Sequence, residues 1–302
     1  MRTKHAAIVF TALVAAAPAV AADLPGATFE TGGVTIWYEV RGDGPGTPMI
    51  VANGGPGFDH SYLLCGDVWD RLAKGRKVVL YDQRGNGRSS ELKDGQPCGL
   101  AEQIDDLEAL RAHLGYDKID LLGHSWGGYL VMAYAARHPE RIAHLMIVDS
   151  AAPKIQDTVF LFKNVYPETT AREDALAFAV ELGDQKAVAA DLNAYMSMLF
   201  YTAEAREAFM ARSSSFVYRQ KVNKAVWDDL QRFDLNPELP RFAFPTLVVT
   251  GRYDFNVAPS VAWSIHHAIP GSQYAVFEKS GHLPFCEQPD QFLGTIDAFL
   301  AK

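Results

Sequence analysis

One serine held between glycines, Gly123-His124-Ser125-Trp126-Gly127-Gly128, restricts what this chain can fold into more than any other stretch of it. The G-x-S-x-G spacing suits a strand that turns into a helix so sharply that the serine backbone is strained and side chains at the flanking positions would collide. The flanks fit that geometry. Residues 118–122 read as a short apolar strand, and Tyr129, Leu130, Met132, Ala133 and Ala136 read as an apolar helix ended by His138-Pro139. The expectation is a strand, a tight elbow and a helix, with Ser125 presented at the elbow as a nucleophile.

The rest of the chain supplies the sheet such an elbow needs. Residues 27–40 alternate Val, Ile, Trp and Tyr as a β-hairpin does, and 49–52, 77–81 and 144–148 are short apolar strands. Ile104, Leu107, Leu110 and Leu114 recur at helical spacing, with Gly115 as the stop. After residue 150 the pattern changes to helix formers with frequent aromatics. Strand signals resume at 245–250 and 273–277, with helices over 259–268 and 289–300. The reading is an α/β fold: a mostly parallel central sheet with helices on both faces, formed by residues 23–150 and 241–302, and an inserted helical cap over 151–240.

The basic start (Arg2, Lys4), the apolar run 6–17 and the small residues Ala19-Val20-Ala21-Ala22 describe a secretory signal peptide over residues 1–22. The expected location is therefore periplasmic or secreted, with no membrane attachment after cleavage. A formal net charge of −8 among 302 residues argues against a nucleic-acid partner. Cys65, Cys98 and Cys286 allow one disulfide and one remaining thiol; Cys65 with Cys98 is the expected pair, because both fall in or near loops at one rim. No cysteine or histidine spacing suggests a metal, and none is expected.

A serine hydroxyl needs a base, and the base needs a partner that holds it. Of nine histidines, His282 in Ser280-Gly281-His282 follows the last strand in a glycine-containing loop. Two carboxylates close later strands, Asp149 and Asp254. Asp254, in Gly251-Arg252-Tyr253-Asp254, is preferred because it places serine, acid and histidine in the expected chain order. An oxyanion needs N–H donors, and the backbone of Trp126 and of Gly55, in Gly54-Gly55-Pro56-Gly57, can provide them.

Together with Asp82-Gln83-Arg84-Gly85-Asn86-Gly87-Arg88-Ser89, these motifs resemble the proline iminopeptidase family of α/β hydrolases over nearly the whole chain beyond the N-terminal segment. The resemblance implies the α/β-hydrolase fold and a Ser/His/Asp site that needs no cofactor. It also implies release of an N-terminal residue, often proline, from short peptides. The chain departs from that pattern at Asn53, where the family usually has histidine, an exchange that still leaves a side-chain donor to brace the loop. It departs again at Phe255, where some relatives carry a glutamate that binds the substrate amine. Glu168, Glu181 and Glu204 are the cap carboxylates available for that task, and Phe216, Tyr218, Trp227 and Phe255 are candidates to line the pocket. The expected partner is a short peptide, an amino-acid amide or another small molecule. A carboxylesterase or lactonase could use the same machinery, and a non-catalytic binding protein could use the same scaffold.

Overall fold

The computed structural model describes residues 26–211 and 217–302. Residues 1–22, read above as a signal peptide, and Phe216 lie outside the described residues. Eight strands form one sheet: β1 (Ala27–Thr31), β2 (Val34–Arg41), β3 (Gly46–Ala52), β4 (Arg76–Asp82), β5 (Ile119–His124), β6 (Ile142–Val148), β7 (Thr246–Gly251) and β8 (Gln273–Phe277). Their order across the sheet is β1-β2-β4-β3-β5-β6-β7-β8. The β1–β2 hairpin pairs antiparallel with itself and with β4, and every pair from β4 to β8 is parallel.

The strands that carry the site are apolar on both faces because helices cover both. Ile50, Val79, Leu121, Ile147 and Val248 point into one core with α2 (Leu100–His113), α3 (Trp126–Arg137) and α9 (Pro259–Ala268). Met49, Val78, Leu80, Leu122, Met146 and Val249 point into the other. There they meet α1 (Val68–Leu72), α10 (Pro284–Glu287) and α11 (Pro289–Leu300). Period-two alternation thus feeds two separate cores. The short α1 has little periodicity to betray it in sequence, yet it buries Trp69 and Leu72 in the second core.

Between β6 and β7 the regular elements are helical: α4 (Phe162–Val165), α5 (Pro167–Glu181), α6 (Gln185–Ser197), α7 (Ala203–Met210) and α8 (Gln220–Leu230), with short 3-10 turns. They sit over the C-terminal ends of the parallel strands, where open α/β sheets place their ligand crevices.

The two cores also decide the cysteine pairing. The disulfide joins Cys65 to Cys286, with Cα atoms 5.4 Å apart, and both packed against the second core. Cys98 is a free, buried thiol in the first core, where burial raises it to about 11. The expected Cys65–Cys98 pair is therefore not formed: the sheet lies between those two residues.

Candidate active site

Strand β5 ends at His124 and α3 begins at Trp126, so the whole turn falls on Ser125, whose φ is +58°. Such a backbone is rare for a residue with a side chain, and it holds only where the surroundings over-determine it. Here the Ser125 N–H donates to Val148 O (2.9 Å) and its carbonyl accepts from Gly128 N–H (2.9 Å). The glycines are steric necessities. A Cβ on Gly123 would overlap the Gly127 carbonyl, one on Gly127 would overlap the Ala52 carbonyl, and one on Gly128 would overlap Ser150.

His282 lies in the loop after β8, and Asp254 in the loop after β7. His282 Nδ1 is 2.7 Å from Asp254 Oδ2, and both side chains are buried. Asp254 Oδ1 accepts the backbone N–H of Asn256 and of Val257, each at 2.9 Å. With Nδ1–H turned toward Asp254, Nε2 is the basic nitrogen, and Asn256 Nδ2 donates to it at 3.1 Å. Burial holds His282 low, at about 3, so the imidazole rests neutral. Ser125 and His282 line one small cavity with Gly55.

Asp149, the other candidate acid, lies behind the pair. Donor atoms of Asp149, Asp254 and His282 fall within 4.8 Å of one another, but it is Asp254 that holds the histidine. Asp149 has φ +44°; its Oδ1 accepts Gly251 N–H (2.8 Å), and its side chain hydrogen-bonds to that of Asp254. Burial, then the charge of Asp254, raises Asp149 far above the usual carboxylate range. Asp254 is raised by burial too, and the Val257 N–H, the hydrogen bond from Asp149 and the Asn256 N–H oppose that rise. Donors converge on Asp254, so the shared negative charge rests there and the proton on Asp149.

The N–H of Trp126 opens α3, where an amide has no carbonyl of a preceding helical turn to accept it. Opposite it, Gly55 has φ +122°, and both residues line the cavity that contains Ser125. Asn53 Nδ2 donates to the carbonyls of Gly54 (3.0 Å) and Phe58 (2.9 Å) and braces that loop from below. The 82–89 motif is the frame around it. Gln83 accepts from Trp126 Nε1 and donates to Asn53 O, each at 2.8 Å, while Arg84 grips Asp106 through two bonds of 2.7 Å.

A cavity of about 210 Å³ opens from Ser125 beneath the cap. Of the pocket candidates, Tyr218 and Trp227 lie along it. Phe255 is not among its lining residues; it packs edge-on against Tyr166 and Tyr253 instead. Glu168, Glu181 and Glu204 are exposed and line no part of it. Two carboxylates that the sequence did not single out do: Glu173 of α5 and Asp191 of α6. Partial burial, then the neighbouring charges of Asp191 and Asp174, raises Glu173 to about 7, and burial raises Asp191. Asn256 is the third residue missed.

Residues 47–289 match the model of the alpha/beta hydrolase fold family. The chain is 30% identical over 281 residues to a proline iminopeptidase of Saccharolobus solfataricus, covering 89% of each chain. It is 29% identical to one of Heyndrickxia coagulans, covering 89% of this chain and 96% of that one. Among solved structures it resembles a thermophilic esterase from Thermogutta terrifontis, with a TM-score of 0.71 and 25% identity over 92% of this chain and 98% of that one. It also resembles the enol-lactonase from Burkholderia xenovorans LB400, with a TM-score of 0.73 and 25% identity over 91% of this chain and all of that one.

Proposed function

Because the chain belongs to the α/β hydrolase fold family, in its proline iminopeptidase-like branch, we propose that it is an exported serine hydrolase acting through an acyl-enzyme on short peptides or amino-acid amides with a free N-terminal amine. The carrying observation is the pair Glu173 and Asp191, which face the cavity of Ser125 from the cap. An ammonium group entering beneath the cap meets two carboxylates in a cavity whose lining residues include no lysine or arginine, and its binding keeps Glu173 ionised. The aromatic walls at Phe58, Tyr218 and Trp227 suit a small or prolyl first residue.

In this reading Ser125 Oγ attacks the acyl carbon and passes its proton to His282 Nε2, which Asn256 must first release. Asp254 stabilises the imidazolium through Nδ1–H, and the N–H groups of Trp126 and Gly55 receive the oxyanion. The tetrahedral intermediate collapses as His282 protonates the departing amine, leaving an ester on Ser125. Water, deprotonated by His282, then attacks the ester and frees the enzyme. The Cys65–Cys286 disulfide supports export, because such bonds persist in oxidising compartments.

The esterase and lactonase among the structural neighbours favour a second reading, cleavage of small esters by the same steps. Covalent labelling by a fluorophosphonate probe, lost in Ser125→Ala, tests the nucleophile; an unlabelled wild type would leave a binding protein. Rates on a prolyl arylamide against a p-nitrophenyl ester then separate the two substrates, and faster turnover of the ester would displace the peptidase reading.

A further inference from the structure

His124 precedes the nucleophile, is buried, and lines the small cavity with Tyr62, Ser125 and His282. Its two ring nitrogens each meet a loop of the site. Nε2 lies 2.7 Å from the carbonyl oxygen of His282, and Nδ1 lies 2.7 Å from the hydroxyl of Tyr62. That hydroxyl in turn accepts the N–H of Gly54 at 2.5 Å. A carbonyl can only accept, so Nε2 carries the proton and Nδ1 accepts from Tyr62, which leaves a Tyr62 lone pair for Gly54. Every donor and acceptor in the chain Gly54, Tyr62, His124, His282 is thereby satisfied in one direction.

We infer that His124 and Tyr62 are positioning residues that lock the oxyanion loop, the nucleophile elbow and the base loop into one register. The inference rests on the serine hydrolase reading above. Gly54 lies directly against the nucleophile, since a Cβ there would come within 2.8 Å of both Ser125 Cβ and the Tyr62 hydroxyl. Fixing its N–H anchors the peptide plane next to the one that presents the Gly55 N–H, and that second plane is held through the Gly54 carbonyl by Asn53 Nδ2 (3.0 Å). At the other end, the bond to the His282 carbonyl sets the backbone from which the imidazole projects. The His124 and His282 rings pack at 4.7 Å, and Phe285 closes the edge of His124 at 5.1 Å. Burial, then His282, lowers His124 well below its ordinary value, so it stays neutral and keeps one donor and one acceptor. Burial likewise pushes the Tyr62 phenol up, so it keeps its proton. No other side chain supplies an acceptor and a donor on opposite edges of one short rigid ring.

The test pairs Tyr62→Phe, which deletes only the hydroxyl, with His124→Asn, which keeps an acceptor near the Nδ1 position but loses the donor to His282. Wild-type fluorophosphonate labelling at Ser125 secures the underlying reading independently, and its failure would sink that reading rather than this one alone. Each variant is expected to lower kcat on the order of 10- to 100-fold with KM within about twofold, because misplacement by a fraction of an ångström acts on the transition state. The double variant is expected to lose no more than the worse single variant, since the two residues act through one chain of bonds. Losses that multiply, or that appear in KM with kcat intact, overturn the inference. If His124→Asn does not fold, the kcat and KM of Tyr62→Phe decide alone, and an unchanged kcat there overturns it.

Discussion

Replacing Cys65 and Cys286 together by serine removes a bond that closes a loop with a sequence separation of 221. Loop-closure entropy for that length amounts to about 5 kcal/mol at 25 °C, the ceiling for what the bond takes from the unfolded chain. At roughly 2 °C per kcal/mol for a chain of this size, the melting temperature falls by up to about 10 °C. The effect reaches the site as well as the scaffold. Glu287, next to Cys286, accepts Gly281 N–H at 2.6 Å and Tyr201 N–H at 2.8 Å, and so ties the histidine loop to the cap. The double variant should therefore lose activity below its melting transition. Calorimetry with and without reductant measures the first effect, and turnover at a fixed temperature the second. Thiol titration in denaturant should find Cys98 alone before reduction. A cross-linked peptide joining Cys65 to Cys98, or a melting point unmoved in the double variant, would refute the reasoning.

Three further outcomes follow from the site. Glu173 sits at about 7, raised by burial and its acidic neighbours, so it gains its charge as pH rises through that value; kcat/KM on a free-amine amide should climb there, and Glu173→Gln should flatten the climb and cost about 10- to 100-fold at pH 8. A p-nitrophenyl ester lacking an amine should show no such limb, and the same limb on that ester would remove Glu173 from amine binding. Asp149→Asn keeps both an acceptor for Gly251 N–H and a donor toward Asp254, so its kcat should exceed that of Asp149→Leu by about 10-fold or more; equal losses would mean that Asp149 acts as an anion. Asp254→Asn should lower kcat on the order of 10⁴-fold while the cap-dependent KM barely moves, and a surviving kcat would transfer the acid's role to Asp149.

What could be read from the sequence was what local chemistry restricts to few residue types. The elbow glycines are legible because a Cβ at Gly123, Gly127 or Gly128 meets backbone or a neighbouring side chain. The strands are legible because both faces are covered, leaving apolar runs at 49–52 in β3, 145–148 in β6 and 247–249 in β7. The cap carboxylates were not. Glu168, Glu173 and Glu181 are three glutamates of one helix, and in α5 only Thr170 is buried, so no apolar stripe marks an inward face. Which one meets the cavity is decided by how α5 lies against α6 and α8. The cysteine pairing failed for a related reason. Nearness to one rim of a sheet does not reveal which face a side chain lies on, and Cys98 lies across the sheet from Cys65. Asn256 carries no motif; its role arises from the turn around Asp254, whose carboxylate collects two successive amides.

These contacts join specificity to chemistry at one loop. The segment entering α8 is fastened to the glycine loop by Arg219 N–H to Gly57 O (2.7 Å), Val217 N–H to Asp59 Oδ2 (3.0 Å) and Asn223 Nδ2 to Pro56 O (2.8 Å). The same segment carries Tyr218, and α8 carries Trp227, into the cavity wall. From below, Asn53 and Tyr62 hold the loop to the core. Gly55 thus sits between a loop floor anchored to the core and a cap segment that also lines the cavity. If Gly55 donates to the oxyanion as proposed, a substrate that shifts Tyr218 or Trp227 pulls on the loop that presents that donor. On that proposal, poor occupancy of the cavity is expected to cost transition-state stabilisation as well as affinity, so that discrimination among acyl groups is expressed in kcat. Exchanging residues of this cap segment is then expected to change both which group enters and how well the oxyanion is received, read as a change in kcat as well as in KM.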